Sequence, residues 1–355
     1  MIQEALEKAV RDQDLTRGEA EAAMEDILAG RAGEPQIAGF LTALHIKGET
    51  LEEVVGFAKA MRRHATPIFP RGWKHEHEPL VDTCGTGGDA RGTFNVSTAA
   101  AFVAAGAGVR VAKHGNRSYT SKCGSADVLE RLGVRMDLGS DQVARCIEEV
   151  GIGFLYAPAL QTAMRHAMPV RRALKIRTVF NLLGPLTNPA GASAQVAGVY
   201  DAELTELVAR ALGELGGKRA FVVHGSDGLD EISISDVTQV AELRDGVVRS
   251  FSVTPEDFGL ARAPIERIQG GDASENAQII HKIFGRSMLA KEHGPRRDIV
   301  LANAAAALVA AGGAADFLDG VRMAAQSIDS GAAREKLDSL VAFTQAADAR
   351  GQSAP

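Results

Sequence analysis

The order of predicted elements between residues 80 and 112 constrains the fold of this chain more than any other feature. Residues 80–84 (LVDTC) form a strand pattern, residues 85–89 a glycine-rich loop, residues 97–105 an apolar helix pattern, and residues 109–112 a second strand pattern. A strand, a helix and a strand in this order form a right-handed unit that pairs the two strands in parallel. The chain is therefore predicted to adopt an α/β fold with a mostly parallel central sheet.

The same alternation continues through the rest of the 355 residues. A hairpin is predicted from residues 238–243 and 247–253, around the turn at Asp245-Gly246. Single strands are predicted at residues 154–156, 195–200 and 220–223. The helices predicted after the first unit are at residues 125–132, 141–150, 203–215, 276–283, 298–311 and 334–346.

The first 65 residues carry only helical signals. Thr16 with Glu19 and Thr50 with Glu53 have the spacing of capping boxes, in which two side chains satisfy N–H groups at a helix start. Residues 66–79 contain three prolines, which predicts a linker. His75 and His77 are candidate metal ligands, but no Cys or His lies nearby at metal-site spacing. A solvated linker is the favoured interpretation of these two histidines.

Charge and cysteine content exclude several classes of function. The 39 Lys and Arg against 45 Asp and Glu give a net charge of −6, which argues against a generally basic nucleic-acid binder. Cys84, Cys123 and Cys146 form no CxxC pair, and such a sparse set favours a reducing compartment over a disulfide scaffold. No apolar signal segment and no apolar run of ~18 residues is present. We expect a soluble, cytoplasmic protein with no membrane or nucleic-acid partner.

Three polar segments form a candidate anion site. Glycines in the loop at residues 85–89 let backbone N–H groups converge on an anion, and residues 95–98 (NVST) stand at a helix start, which favours phosphate. Residues 113–118 (KHGNRS) follow the second strand. Residues 90–126 contain five Lys and Arg and no Asp or Glu, so this segment carries +5 and the remainder −11. This pattern predicts a cationic cleft for an anionic small molecule.

Familiar nucleotide motifs do not account for this loop. Residues 85–90 fit G-x-G-x-x-A, but the acidic residue that a dinucleotide site needs about 20 positions later is missing. No P-loop pattern occurs in the sequence. Asp230 and Glu231 stand side by side after a later predicted strand, and paired carboxylates beside a phosphate site suit Mg²⁺. We predict that these two side chains bind magnesium.

Five motifs, in this order, closely resemble the anthranilate phosphoribosyltransferase family: DTCGTGGD, NVST, KHGNRSYTSKCGSADVLERLG, NLLGPLTNPAG and HGSDGLDEIS. The resemblance covers nearly the whole chain. It implies transfer of the 5-phosphoribosyl group of PRPP to the amino group of anthranilate, with release of pyrophosphate, in tryptophan biosynthesis. It also implies a homodimer with a nucleoside-phosphorylase-like fold. A small helical domain at residues 1–70, joined by a segment near 168–190, is expected beside an α/β PRPP-binding domain at residues 75–350.

The resemblance also implies roles for individual residues. Two Mg²⁺ ions are implied, with Ser97, Asp230 and Glu231 as ligands. Anthranilate is implied to contact Gly85, Asn116 and Arg171, the last because a planar guanidinium binds a carboxylate in bidentate fashion. The residues implied for PRPP are Gly85, Gly88, Asp89, Thr93, Asn95, Val96, Ser97, Thr98, Lys113, His114, Gly115, Asn116, Arg117, Ser118, Tyr119, Thr120, Ser121 and Ser125.

Catalysis is expected to rest on positioning and electrostatics. The aromatic amine is neutral and nucleophilic at pH 7, and pyrophosphate leaves once Mg²⁺ and N–H donors neutralise its charge. No catalytic acid or base is therefore predicted, and His114 is not assigned as one. The sequence departs from the family at Gln161-Thr162, where a His-Pro is common. Two alternatives are a pyrimidine nucleoside phosphorylase-like enzyme and a non-catalytic paralogue that binds nucleic acid through residues 90–126.

Overall fold

Four helices form the start of the chain in the computed structural model, which describes residues 1–69, 73, 78–89, 91–118, 122–285 and 294–351. Both predicted capping boxes are present: Thr16 Oγ1 accepts from the Glu19 N–H, and Thr50 Oγ1 accepts from the Glu53 N–H. These boxes fix where the second and fourth helices begin. The four helices are α1 (Ile2–Val10), α2 (Arg17–Leu28), α3 (Glu34–Lys47) and α4 (Leu51–His64). The predicted linker histidines, His75 and His77, lie outside the described residues.

A seven-stranded sheet follows, and it confirms the predicted mostly parallel α/β fold. The strand order is β3-β2-β1-β4-β5-β6-β7, with β1 to β5 parallel and β6 and β7 antiparallel as the predicted hairpin. The strands are β1 (Leu80–Gly85), β2 (Arg110–Gly115), β3 (Ile152–Tyr156), β4 (Ala194–Gly198), β5 (Arg219–Gly225), β6 (Thr238–Arg244) and β7 (Val247–Val253).

Helices cover both faces of the sheet. One apolar core joins α5 and α13 to one face, and a second core joins α10, α11 and the N-terminal helices to the other. Helices α8, α9, α10 and α14 were not predicted, and α10 contains the helix-disfavouring pair Gly184-Pro185. The helices after β1 are α5 (Val96–Gly106), α6 (Ser125–Arg131), α7 (Ser140–Val150), α8 (Ala157–Leu160), α9 (Met168–Leu174), α10 (Val179–Leu186), α11 (Leu204–Glu214), α12 (Ala273–Ile283), α13 (Pro295–Ala310), α14 (Phe317–Asp329) and α15 (Ala332–Gly351).

The strand order places a crevice beside β1. The chain leaves β1 to build β2 and β3 on one side, and then returns to place β4 on the other side. At such a switch point the connections diverge above the carboxyl ends of the two strands, which opens a ligand crevice there. Gly85 of β1 and Gly198 of β4 are register partners at this edge. Among the described residues, no helix is long and apolar enough to span a bilayer.

Candidate active site

Segments distant in sequence meet at the carboxyl ends of the parallel strands. The Gly87 N–H donates to Asp230 Oδ2 at 2.8 Å, across 143 residues of chain. The Ser97 N–H donates to Glu231 Oε1 at 3.1 Å, across 134 residues. The glycine loop after β1 and the start of α5 are therefore joined directly to the two carboxylates that follow β5.

Close packing explains the glycines at the crevice. A Cβ at Gly85 would lie 2.5 Å from Asp230 Oδ2, and a Cβ at Gly198 would lie 1.6 Å from the Asp230 carbonyl oxygen. Gly87 and Gly88 have φ of 66° and 80°, a region that L side chains rarely adopt. Side chains at these positions would displace the Asp230 turn or strain the loop.

Three carboxylates crowd this point. Burial, followed by repulsion from Asp89, raises the pKa of Asp230 to about 7. Burial, followed by repulsion from Asp230, raises the pKa of Glu231 to about 8. Burial also raises the pKa of Asp89. Like charges held together favour protonated forms, and a bound divalent cation would relieve the repulsion.

The donor set fits magnesium bound together with a phosphate-bearing ligand. The described residues contain no group of three or more His, Cys, Asp or Glu that could hold a metal ion by themselves. Mg²⁺ does not need such a group, because it retains waters and takes one or two carboxylates plus substrate phosphates. Asp230 and Glu231 supply two carboxylates, and the Ser97 hydroxyl belongs to the residue whose N–H contacts Glu231.

Lys113 supplies a buried cation to the same edge. Its side chain extends from the end of β2, and Nζ donates to the Thr83 carbonyl oxygen and, at 3.3 Å, to Ser97 Oγ. Burial lowers the pKa of Lys113, while the nearby Asp82 carboxylate raises it. The ammonium is thus fixed between β1 and α5, where an anion at the helix start would meet it.

His114 points to the other face of the sheet, because successive residues of a strand alternate. Its Nδ1 lies 3.2 Å from the Gly184 carbonyl oxygen of α10, whereas Lys113 contacts the α5 side. Nε2 is buried without a partner among the described residues. Burial lowers the pKa of His114, which favours the neutral ring. Lys113 and His114, which were both predicted to contact PRPP, therefore point to opposite faces of the sheet.

A buried pair beneath this site was missed by the sequence analysis. Asn188 Nδ2 donates to Asp82 Oδ2 at 2.7 Å and to the Ala112 carbonyl oxygen at 2.9 Å. Asp82 Oδ1 also accepts the His114 N–H at 3.0 Å. The available signals were an aspartate inside an apolar strand pattern and the TNP end of NLLGPLTNP. The pair holds β1, β2 and the chain after α10 together.

The predicted anion site carries less positive charge than the charge count along the sequence indicated. Arg117 pairs with Asp127 at 3.0 Å and with Glu130 at 2.9 Å, both of which lie just beyond the acid-free segment. Arg110 pairs with Glu78 at the opposite end of β2, about 17 Å from the crevice at the rise of a β-strand. Arg117 is therefore neutralised and Arg110 lies far from the crevice, so these two cations add little positive charge there.

The loop after β2 folds back onto α6. The Asn116 carbonyl oxygen accepts from the Ala126 N–H at 3.1 Å and from Ser125 Oγ at 3.3 Å. The Ser118 N–H donates to Asp127 Oδ2 at 3.0 Å. A Cβ at Gly115 would lie 2.2 Å from Ser125 Oγ, so a side chain there would collide with α6. The predicted residues Tyr119, Thr120 and Ser121 lie outside the described residues.

At the start of α5, the side chains of most predicted PRPP residues face the protein. Asn95 Nδ2 donates to the Cys123 carbonyl oxygen at 3.2 Å, and Asn95 Oδ1 accepts from Asn276 Nδ2 at 3.0 Å. The side chains of Val96 and Thr98 are buried in the core. Backbone N–H groups, not these side chains, are therefore the groups that a phosphate could meet here. Thr93, predicted nearby, forms a single β-bridge with Gln269.

Arg171 lies on α9, close to the N-terminal helices. Its guanidinium carbon is 5.2 Å from the ring centroid of Phe180 on α10, and its own helix α9 packs against α3. Gln161, where the family commonly has histidine, is buried and donates to the Thr187 carbonyl oxygen at 3.0 Å. Gln161 thus fastens the chain before α9 to the chain after α10.

The fold and the site define a class of transferase. Residues 3–65 match the family model described as "Glycosyl transferase family, helical bundle domain". Residues 77–334 match the model described as "Glycosyl transferase family, a/b domain". The chain is a member of this glycosyltransferase family.

Within that class, the chain belongs to the anthranilate phosphoribosyltransferases, as its motifs indicated. The enzyme of that name from Symbiobacterium thermophilum is 58% identical over 340 residues, or 96% of each chain. That from Moorella thermoacetica is 53% identical over 345 residues, or 97% of this chain and 99% of the relative.

Solved structures of the same family share the fold. The Thermus thermophilus enzyme has a TM-score of 0.88 at 43% identity, covering 96% of this chain and 99% of that one. The Saccharomyces cerevisiae enzyme in complex with PRPP and Mg has a TM-score of 0.87 at 29% identity, covering 97% and 98%.

Proposed function

We propose that this chain transfers the 5-phosphoribosyl group of PRPP to the amino nitrogen of anthranilate, in the pathway to tryptophan. The bond from nitrogen to ribose C1 forms, the bond from C1 to pyrophosphate breaks, and the nitrogen releases one proton. The observation that carries this proposal is the joining of two N–H groups to two carboxylates: Gly87 to Asp230 and Ser97 to Glu231. This arrangement supports a site in which N–H groups that can bind a phosphate lie beside the two proposed magnesium ligands.

The residues of the crevice stabilise the charge that develops on the leaving group. Two Mg²⁺ ions would be held by Ser97, Asp230 and Glu231 and would supply positive charge to the pyrophosphate. The buried ammonium of Lys113 and the N–H groups at the start of α5 add fixed positive charge at the same edge. No side chain needs to act as acid or base, because the amine is already neutral.

The helical side would bind the acceptor. Arg171 meets the anthranilate carboxylate, with Asn116 and Gly85 nearby. The helical domain is residues 1–70, joined by the segment near 168–190 to the α/β domain at residues 75–350. Val170, Val179 and Leu183 share one apolar core with the N-terminal helices, which supports the role of this joining segment, and the same core continues onto β4 and β5. The nucleoside-phosphorylase alternative would not need the two carboxylates after β5.

We also propose a cytoplasmic homodimer. Val10 is 69% exposed and Ile46 is 79% exposed, so the helical bundle presents large apolar side chains that a second copy could cover. Cys84, Cys123 and Cys146 are buried and form no disulfide among the described residues, which suits a reducing compartment. Light scattering after gel filtration, comparing the protein with Ile46→Asp, measures the assembly.

The metal assignment is tested with Asp230→Asn combined with Glu231→Gln. These changes preserve shape but remove both charges, so the Mg²⁺ concentration for half-maximal rate should rise at least ~10-fold in a protein that still folds. Turnover is measured by the loss of anthranilate fluorescence with PRPP and Mg²⁺. Asp245→Asn, in the exposed hairpin turn at φ 50°, is the matched control.

Four results would contradict this function. Unchanged Mg²⁺ dependence in the double variant would remove the metal assignment. A folded wild-type protein without turnover would remove the proposed reaction. Phosphorolysis of thymidine or uridine without Mg²⁺, or salt-sensitive DNA binding without PRPP binding, would replace it with one of the two alternatives.

The acceptor assignment is tested with Arg171→Ala. Loss of hydrogen bonds to a carboxylate should raise the apparent KM for anthranilate by ~10- to 100-fold and leave the PRPP KM nearly unchanged. Arg172→Ala, an exposed arginine on the same helix, is the control. Equal effects on both substrates would show that Arg171 does not select the carboxylate.

A further inference from the structure

Arg177 contacts the glycine loop that follows β1. It lies between α9 and α10, and its Nη2 donates to the Gly88 carbonyl oxygen after β1. Its guanidinium carbon lies 4.3 Å from the ring centroid of Tyr200, which follows β4. A planar guanidinium can donate in its plane while it stacks through its face. The Arg177 side chain thus contacts both the glycine loop and the chain just after β4.

The glycine loop has anchors on one side that do not involve Arg177. The Thr86 N–H donates to the Gly198 carbonyl oxygen at 2.8 Å, and the Tyr200 N–H donates to Thr86 Oγ1 at 3.1 Å. These bonds fix the first half of the loop to the end of β4. Gly87 is held through its N–H by Asp230, but Gly88, at a positive φ, has no side chain through which packing could hold it. Arg177 reaches the Gly88 carbonyl from the segment between α9 and α10.

Holding the Gly88 carbonyl also orients the next N–H. The peptide unit is planar, so its C=O and the following N–H point in opposite directions. Arg177 on the Gly88 oxygen therefore directs the Asp89 N–H away from Arg177. Orientation of successive N–H groups is what makes a glycine loop bind an anion. Without the contact from Arg177, this part of the loop would become ordered only when its ligand binds.

We propose that Arg177 is a positioning residue for the phosphoribosyl donor: stacked on Tyr200, it holds the Gly88 carbonyl and so fixes the glycine loop before PRPP binds. The inference rests on the proposed use of PRPP and adds a residue that acts on the loop, not on the substrate. Because Arg177 is exposed, its removal should cost little stability.

The test compares substrate constants of Arg177→Ala, Arg177→Lys and Tyr200→Leu, with Arg172→Ala as a local charge control. Loss of one hydrogen bond from a charged donor should raise the PRPP KM on the order of 10-fold in Arg177→Ala. The anthranilate KM and the thermal midpoint should change little. Arg177→Lys should be intermediate, since lysine can donate to Gly88 but cannot stack as a plane.

Tyr200→Leu separates positioning from direct charge. If the ring holds the guanidinium in place, Tyr200→Leu raises the PRPP KM, and the double variant with Arg177→Ala is less than additive. If Tyr200→Leu and Arg177→Lys both keep the wild-type PRPP KM, Arg177 acts only through its charge. That result would overturn the proposal. An unchanged PRPP KM in Arg177→Ala would also overturn it. Turnover by the wild type tests the proposed function separately.

Discussion

Replacing Gly85 with alanine should damage the magnesium site without disturbing the fold. The new Cβ would lie 2.5 Å from Asp230 Oδ2, whereas an ordinary contact begins at 3.4 Å, so the carboxylate must move by about 0.9 Å. A movement of that size directed away from Gly87 would lengthen the bond from the Gly87 N–H, now at 2.8 Å, to about 3.7 Å, beyond hydrogen-bond distance. The φ of Gly85 is not positive, so alanine itself imposes no backbone strain.

The expected size follows from the lost contact. A hydrogen bond to a charged group contributes about 1.5–3 kcal/mol, which corresponds to roughly 10- to 100-fold in an affinity. Mg²⁺ tolerates little distortion of its ligands. The Mg²⁺ concentration for half-maximal turnover should therefore rise by at least ~10-fold in Gly85→Ala.

The assay is Mg²⁺ titration at saturating PRPP and anthranilate, followed by anthranilate fluorescence. Gly18→Ala is the matched control, because nothing lies within 4 Å of a Cβ at that helical position. Gly198→Ala gives the contrasting outcome: its Cβ would meet backbone of Asp230 at 1.6 Å, so folding itself should suffer. A folded Gly85→Ala protein with unchanged Mg²⁺ dependence would refute the link between Gly85 and Asp230.

Three further predictions concern stability. Asn188→Ala should lower the free energy of unfolding in urea by about 2–4 kcal/mol, because the buried Asp82 carboxylate loses its amide donor. Asn181→Ala, at the start of α10, is the comparison because it removes only a capping hydrogen bond. Glu53→Ala should cost about 1.5–3 kcal/mol, since Lys47, with a side chain 4% exposed, loses a buried partner at 3.0 Å and keeps only the exposed Asp14 at 2.8 Å; an unchanged urea midpoint would refute this. Asp230 and Glu231 have pKa values of about 7 and about 8 in the folded protein, against ~3.9 and ~4.3 unfolded, so the folded state binds more protons between these values. Without Mg²⁺, the stability that these two groups contribute is therefore complete below about pH 4 and is lost as pH rises through 7 to 8. Thermal midpoints measured from pH 5 to 8 should fall in the wild type but not in the double variant Asp230→Asn with Glu231→Gln.

The sequence by itself determined features that depend on neighbouring residues. Capping boxes at Thr16 and Thr50 act within four residues, and the positive φ of Gly87 and Gly88 is a property of the loop itself. The order of strand, loop, helix and strand after residue 80 sufficed for a parallel sheet. The five motifs sufficed for the family. Each of these signals is short in range, so it can be detected without knowledge of the fold.

Only the tertiary structure decided which residues meet. The strand order placed Gly85 beside Gly198 and brought Asp230 over both, although 143 residues separate Gly87 from its Asp230 partner. It also paired Arg117 with Asp127 and Glu130. Charges interact according to their distance in space and their burial, not their distance along the chain. For that reason the sequence indicated an anionic ligand, while only the structure brought the two carboxylates, Lys113 and the glycine loop to one edge of the sheet.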